Sequence, residues 1–70
     1  MATAYSVIVY IKDDSLIILA EGNHKELSDI IDIVKNEFEN AKLIDIDKES
    51  YSLAKNDIIA LRELIQPLLQ

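Results

Sequence analysis

The residues of this chain that could do acid–base or nucleophilic chemistry are few and stand apart in the sequence. His24 is the only histidine, and its sequence neighbours offer no nucleophile to complete a catalytic group. No serine lies in the glycine-flanked turn that exposes a nucleophile, since Gly22 is the only glycine. A single glycine also rules out a glycine-rich phosphate loop. We therefore predict no catalytic residue, no cofactor and no enzymatic activity.

Carboxylates form the one cluster whose spacing could hold an ion. Asp45, Asp47 and Glu49 alternate along a predicted strand, which places their side chains on one face about 7 Å apart. Oxygen ligands of this kind suit Mg²⁺ or Ca²⁺. A calcium loop counted from Asp45 has Ser50 where the turn needs glycine and Asn56 where it needs glutamate. We interpret the three carboxylates as a solvated strand face and predict no metal.

The charge of the chain narrows the class of its partners. Thirteen acidic and seven basic residues give a formal net charge of −6, which repels phosphate backbones and anionic lipids. We expect no direct binding to nucleic acid and none to a membrane. The candidate acidic patch for a protein partner consists of Asp29, Asp32, Asp45, Asp47 and Glu49.

Length and composition predict one small ordered domain over residues 1–70. Half of the residues are apolar, and the chain has no cysteine, so neither disulfides nor a thiolate zinc site can stabilise it. Oligomerisation is the remaining way for so short a chain to bury more surface. The N-terminus lacks the regions of a signal peptide, and no apolar run exceeds residues 7–11 in length. We expect a cytoplasmic protein.

Residues 6–11 and 16–20, which are apolar except for Ser6, predict a β-hairpin. A turn centred between Asp13 and Asp14 sets the register of the two strands. The expected cross-strand pairs are Ile11 with Leu16, Tyr10 with Ile17, Val9 with Ile18, Ile8 with Leu19, and Val7 with Ala20. Side chains alternate between the faces. The first face then carries Val7, Val9, Ile11, Leu16, Ile18 and Ala20, and the second hairpin face carries Ile8, Tyr10, Ile17 and Leu19.

The second hairpin face is the surface that the sequence most strongly predicts to bind a partner. An antiparallel sheet in a two-layer domain normally shows a polar face to water, and this face is apolar. Its cover could be a second copy of the chain, a foreign protein or the chain's own C-terminal helix. We expect a homodimer formed through this face or through the exposed edge of the hairpin.

The rest of the chain predicts two helices separated by one or two strands. Asn23 and Glu26 form a capping box for a helix that begins at His24. Its apolar stripe consists of Leu27, Ile30, Ile31, Val34, Phe38 and Ala41, with Ile33 outside it. Residues 43–47 alternate as a half-buried strand, and residues 50–54 could return as a short fourth strand. A second helix begins near Asn56 or Asp57 and is disturbed at Pro67. Its inward residues are Ile58, Leu61, Ile65 and Leu68.

These elements predict an α+β fold. We expect a small two-layer domain in which an antiparallel sheet of three or four strands carries two helices on one face, in the order ββαβα or ββαββα. The predicted function is that of a small acidic, non-enzymatic protein-interaction module that binds or inhibits an unidentified partner protein. One alternative is an acidic nucleic-acid mimic that inhibits a nucleic-acid-binding protein. Another is a small-molecule-binding domain with its pocket at the dimer interface.

Overall fold

The computed structural model describes residues 4–69 and contains a three-stranded antiparallel sheet in the order β2-β1-β3. Its strands are β1 (Tyr5–Lys12), β2 (Ser15–Asn23) and β3 (Lys42–Ile46). The helices are α1 (His24–Glu37), α2 (Lys48–Ala54) and α3 (Ile58–Ile65), followed by a 3-10 helix (Gln66–Leu69). The α+β class and the antiparallel sheet are confirmed.

A two-residue turn closes the hairpin of β1 and β2. Asp13 and Asp14 have φ angles of 52° and 65°, as a type I′ turn requires, and aspartate tolerates this region better than most residues. The Arg62 side chain donates a hydrogen bond to the Asp14 carbonyl and so ties α3 to the turn. Next to the turn, three predicted pairs are confirmed: Val9 with Ile18, Tyr10 with Ile17, and Ile11 with Leu16.

A β-bulge changes the register in the second half of the hairpin. Ile8 pairs with Ala20 and Val7 pairs with Glu21, so the predicted partners of Ile8 and Val7 are wrong by one residue. The bulge places Leu19 as an extra residue in β2. Leu19 and Ala20 consequently pack on the same face of the sheet, which moves Ala20 off its predicted face.

Helix α1 covers the second hairpin face. It begins at His24 as predicted, and the Asn23 side chain caps it by accepting a hydrogen bond from the backbone N–H of Lys25. Ile8, Leu27 and Ala41 form the buried cluster beneath the helix. Half-buried side chains complete the cluster: Leu19, Ala20, Ile31, Val34, Phe38 and Leu43.

Helices α2 and α3 cover the opposite face. Their buried residues Tyr51, Ala54, Leu61 and Ile65 form the larger core cluster. The sheet contributes Val7, Val9, Ile44 and Ile46 to it. The expectation that the two predicted helices share one face is therefore wrong, since α1 and α3 lie on opposite sides of the sheet.

Residues 50–54 are helical, so the predicted fourth strand is wrong. Asp47 caps α2, because its carboxylate accepts hydrogen bonds from both the backbone N–H and the hydroxyl of Ser50. Tyr51 and Ala54 then point one helical turn apart into the core. The alternation of Tyr51 and Leu53 suggested a strand, but Leu53 is 85% exposed.

Helix α3 and the chain after it agree in part with the sequence pattern. Asp57 caps α3 through the backbone N–H groups of Ile59 and Ala60. Of the four predicted inward residues, two are buried and two are exposed: Leu61 and Ile65 are buried, whereas Ile58 and Leu68 are exposed. Pro67 lies in the 3-10 helix, which follows directly on α3 and is consistent with the predicted disturbance. None of the helices between residues 4 and 69 has the length and apolar character needed to cross a bilayer.

Candidate interaction site

The four residues of the second hairpin face divide into a covered pair and a more open pair. Ile8 is fully buried, and Leu19 packs in the same cluster against α1. The chain's own first helix supplies this cover, so Ile8 and Leu19 cannot serve as the exposed surface for which they were singled out. Tyr10 is half-buried and stacks edge-on against Phe38, with 5.1 Å between ring centroids. Ile17 remains 38% exposed.

The two edges of the sheet differ in length and charge. Strand β2 has nine residues and β3 has five. Glu21 is the only charged residue of β2, whereas Lys42 and Asp45 lie within the shorter β3. Among residues 4–69, β2 pairs with β1 alone, so one side of its backbone has no strand partner. Native edge strands are usually protected by charge, proline or shortness, and residues 15–20 of β2 have none of these.

Exposed aliphatic side chains also occur on the helices. Ile33 on α1 is 68% exposed, and Ile30 on the same helix is 38% exposed. A second group lies at the junction of α2 and α3 and consists of Leu53, Ile58 and Ile59. Ile33 was expected either beside the core or as a second apolar spot, and the structure places it in solvent.

Two surface cavities flank Ile11, one of about 300 Å³ and one of about 370 Å³. The smaller cavity lies against β2 and is lined by Ile11, Asp14, Leu16, Arg62 and Gln66. The larger lies toward β3 and is lined by Val9, Ile11, Asn40, Lys42 and Leu69. Both are open at the surface and hold no cluster of acid–base residues.

Three polar side chains from distant parts of the chain meet at the end of the sheet where β1 begins. Ser6 of β1 donates a hydrogen bond from Oγ to Oδ1 of Asp45 at 2.8 Å. The Nδ1 atom of His24, at the start of α1, lies 2.6 Å from the same oxygen and 2.9 Å from Ser6 Oγ. The close approach to a carboxylate oxygen requires a proton on Nδ1. Asp45 therefore accepts from both neighbours, and the cluster joins β1, α1 and β3.

This cluster contains the residue types of a serine hydrolase, but its geometry differs. In such an enzyme one histidine nitrogen takes the serine proton while the other donates to the aspartate. Here the same nitrogen of His24 faces both Ser6 and Asp45, and Ser6 donates its own proton to Asp45. Ser6 is also fully buried. The arrangement holds three elements together and does not activate Ser6 as a nucleophile.

The acidic patch is less continuous than the sequence pattern suggested. Asp47 and Glu49 follow the end of β3 and belong to the cap and first turn of α2, so the expected strand face of three carboxylates is wrong. Asp29 and Asp32 lie exposed on α1. No cluster of three or more metal-ligating side chains occurs in the described part of the chain.

Hydrogen bonds lower the pKa of two of these carboxyl groups. The hydrogen bond from Ser6 lowers the pKa of Asp45, and His24 lowers it further, against a partial desolvation that raises it. The backbone and hydroxyl of Ser50 lower the pKa of Asp47. Both groups thus stabilise the fold in their charged form.

Acidification should therefore destabilise the fold over the pH range in which these two carboxyl groups become protonated. A carboxyl group with a lowered folded pKa contributes its full stabilisation above the unfolded value of about 3.9, and this contribution is lost as the pH falls through the folded pKa. We expect Asp47→Asn, which keeps the cap, to match the wild type at neutral pH and to lose less stability on acidification. Urea unfolding followed between neutral pH and pH 2 checks this. An equal acid-induced loss in both proteins would contradict the role of the Asp47 charge.

Comparison with known proteins adds no assignment to these sites. The chain matches no protein-family model, no curated protein and no solved structure.

Proposed function

We propose that this chain is a small acidic protein-interaction module that binds an extended strand at the outer edge of β2. The observation that carries the proposal is the difference between the two sheet edges: β3 is short and charged, whereas residues 15–20 of β2 are uncharged and unpaired on one side. Within residues 4–69 no strand pairs with the outer side of β2, and an edge of this kind is a template for another strand because its outward N–H and C=O groups lack a strand partner.

The outward backbone groups of β2 can be assigned from the turn. In a two-residue hairpin the closing pair, Lys12 and Ser15, exchanges hydrogen bonds. Ser15 and Ile17 then direct their backbone groups toward β1, and Leu16 and Ile18 direct theirs away from it. Leu16 and Ile18 therefore offer the hydrogen bonds that a new strand would take.

Side chains beside this edge give the strand an apolar surface. Ile17 stands half-exposed on the α1 side of the sheet. Leu16 and Ile18 pack against the core on the other side and remain partly exposed. An added strand would bury part of all three residues, which favours binding through the hydrophobic effect.

The acidic patch gives less support to the alternative function, that of a nucleic-acid mimic. Asp45 is bound to Ser6 and His24, and Asp47 caps α2, so two of the five patch carboxylates already have partners in the fold. A mimic needs carboxylates that are free to replace phosphates on a partner. The observations therefore favour the strand edge over the acidic patch.

A random-peptide library displayed on phage tests the edge as a binding surface. We expect selection on the wild type to enrich peptides with alternating apolar residues and without proline. Ile17→Lys should abolish their binding, since a lysine beside the edge opposes strand addition. Binding should change little between low and moderate ionic strength, because apolar burial is weakly screened by salt.

Leu53→Lys is the matched control, because Leu53 is 85% exposed and lies on α2. Peptides should bind this variant as well as they bind the wild type. Loss of binding in Leu53→Lys with retention in Ile17→Lys would move the binding surface to the junction of α2 and α3. Peptide binding that falls steeply with salt would favour the acidic patch.

A further inference from the structure

We infer that the strand taken up by β2 is the β2 strand of a second copy of this chain, paired antiparallel about a two-fold axis at Ile17. The inference rests on the proposed function, because it names the partner of the same edge. The result would be a six-stranded sheet in the order β3-β1-β2-β2-β1-β3.

The hydrogen-bond directions of β2 favour this register. With the axis at Ile17, Leu16 of one copy lies opposite Ile18 of the other, and the two-fold axis generates two such pairs. Both residues direct their N–H and C=O groups outward, so each pair exchanges two hydrogen bonds. With this axis the central pairs of residues 16–18 lie before the bulge at Leu19, whereas an axis at Ile18 would set Leu16 opposite Ala20, across the bulge.

The faces of the side chains lead to the same register. Residues directly opposite in an antiparallel pair lie on the same face. Leu16 and Ile18 both pack with the α2–α3 core, so they match across the axis. Leu16 and Ala20 pack on opposite faces, which excludes the register centred on Ile18.

Charge does not oppose the pairing at the contact itself. The ladder formed by residues 15–19 contains no charged side chain. Just outside it, this register brings Glu21 of one copy toward Asp13 and Asp14 in the turn of the other, and Lys55, 3.6 Å from Glu21, partly offsets that repulsion. The net charge of −6 per copy then acts mainly through solvent, where salt screens it beyond about 8 Å.

The flank of α1 supplies further apolar surface on the same side. Strands β2 and β3 are both antiparallel to β1 and hence parallel to each other, and α1 connects them. Such crossovers are right-handed almost without exception. In a right-handed crossover, the flank of α1 that carries Ile30 and Ile33 faces β2. The opposite flank of the helix carries Ser28 and Lys35 instead.

Two α1 helices would face each other across the axis. The two β1 strands beneath them would lie three strand spacings, or about 14 Å, apart. This exceeds the 8–10 Å between directly packed helices, and it leaves a channel with the two Ile17 side chains as its floor. Ile30 and Ile33 of both copies would form its walls. A five-residue ladder alone buries less than the roughly 800 Å² per partner of stable complexes, so we expect a weak dimer in which the apolar side chains that line the channel add partial burial.

Cysteine crosslinking tests the position of the axis. The chain has no cysteine, so Ile17→Cys introduces a single thiol per copy. Opposite residues in a non-hydrogen-bonded pair have Cα atoms about 4.5 Å apart, within the range that a disulfide spans. We expect mild oxidation to convert Ile17→Cys almost wholly into a covalent dimer, while Leu53→Cys stays largely uncrosslinked. Circular dichroism of both variants checks that they are folded.

Sedimentation equilibrium supplies the second measurement. We expect wild-type dimers at high micromolar concentration and Ile17→Lys monomers. A monomeric wild type, with Ile17→Cys crosslinking no faster than Leu53→Cys, would overturn the inference. If peptides from the library still bind in an Ile17-dependent manner, that result rejects the second copy and leaves edge binding intact. Preferential crosslinking of Leu53→Cys would overturn both.

Discussion

Replacing Ile8 with alanine should lower the free energy of unfolding by about 2–5 kcal/mol, the range for removing a buried isoleucine side chain. Ile8 is fully buried between the central strand and α1. A chain of 70 residues has a total stability on the order of 4–10 kcal/mol, so this one change should remove a large fraction of it. Urea unfolding followed by circular dichroism measures the difference.

Ile33→Ala is the control for this substitution, because it removes the same side chain from a site that is 68% exposed. Its effect on the unfolding of the monomer should stay within about 0.5 kcal/mol. The opposite outcome, a stable Ile8→Ala variant that no longer associates, would mean that Ile8 lies in an interface and that α1 does not cover it.

Replacing Tyr51 with alanine should cost about 3–5 kcal/mol, the range for truncating a buried aromatic side chain. Tyr51 anchors α2 in the core and lies near the Tyr5 ring, with 6.1 Å between centroids. Burial, with the nearby Glu21 carboxylate, raises the pKa of its phenol. Thermal unfolding of Tyr51→Ala, compared with Tyr51→Phe, separates the packing of the ring from the hydroxyl.

Tyr51→Phe keeps the ring and should lose far less stability than Tyr51→Ala. If Tyr51→Ala unfolds at the wild-type temperature, residues 50–54 do not cover the sheet, and the helical assignment of this segment is wrong. The two substitutions thus test the element that the sequence pattern misassigned.

Local patterns predicted those elements whose boundaries are marked by specific residues. Asp13 and Asp14 marked the turn, and Asn23 marked the start of α1; both are confirmed. The bulge at Leu19 has no such marker, because either of two neighbouring apolar residues could occupy the paired position. Seven residues of α2 are too few for a helical period to outweigh the strand-like alternation of Tyr51 and Leu53.

Long-range contacts were beyond the reach of the sequence pattern. The apolar composition of the hairpin showed that both faces need a cover, but it could not show that α1 covers one and α2 with α3 the other. The pairing of Ser6 with Asp45 depends on the register of β1 with β3. The residues next to His24 in the sequence include neither Ser6 nor Asp45, and alternation along β1 was the only clue that Ser6 shares a face with Ile8.

Amide hydrogen exchange tests the central claim, pairing of the β2 edge with a second copy of the chain, most directly. It should be measured residue by residue at low micromolar and at millimolar protein concentration. The amides of Leu16 and Ile18 should exchange fast in the dilute protein and slowly in the concentrated one, since they gain hydrogen bonds only on pairing. The Ile17 amide, already bonded to β1, should be protected in both. Concentration-independent exchange at Leu16 and Ile18, with new protection at Leu53 and Ile59 instead, would contradict the claim.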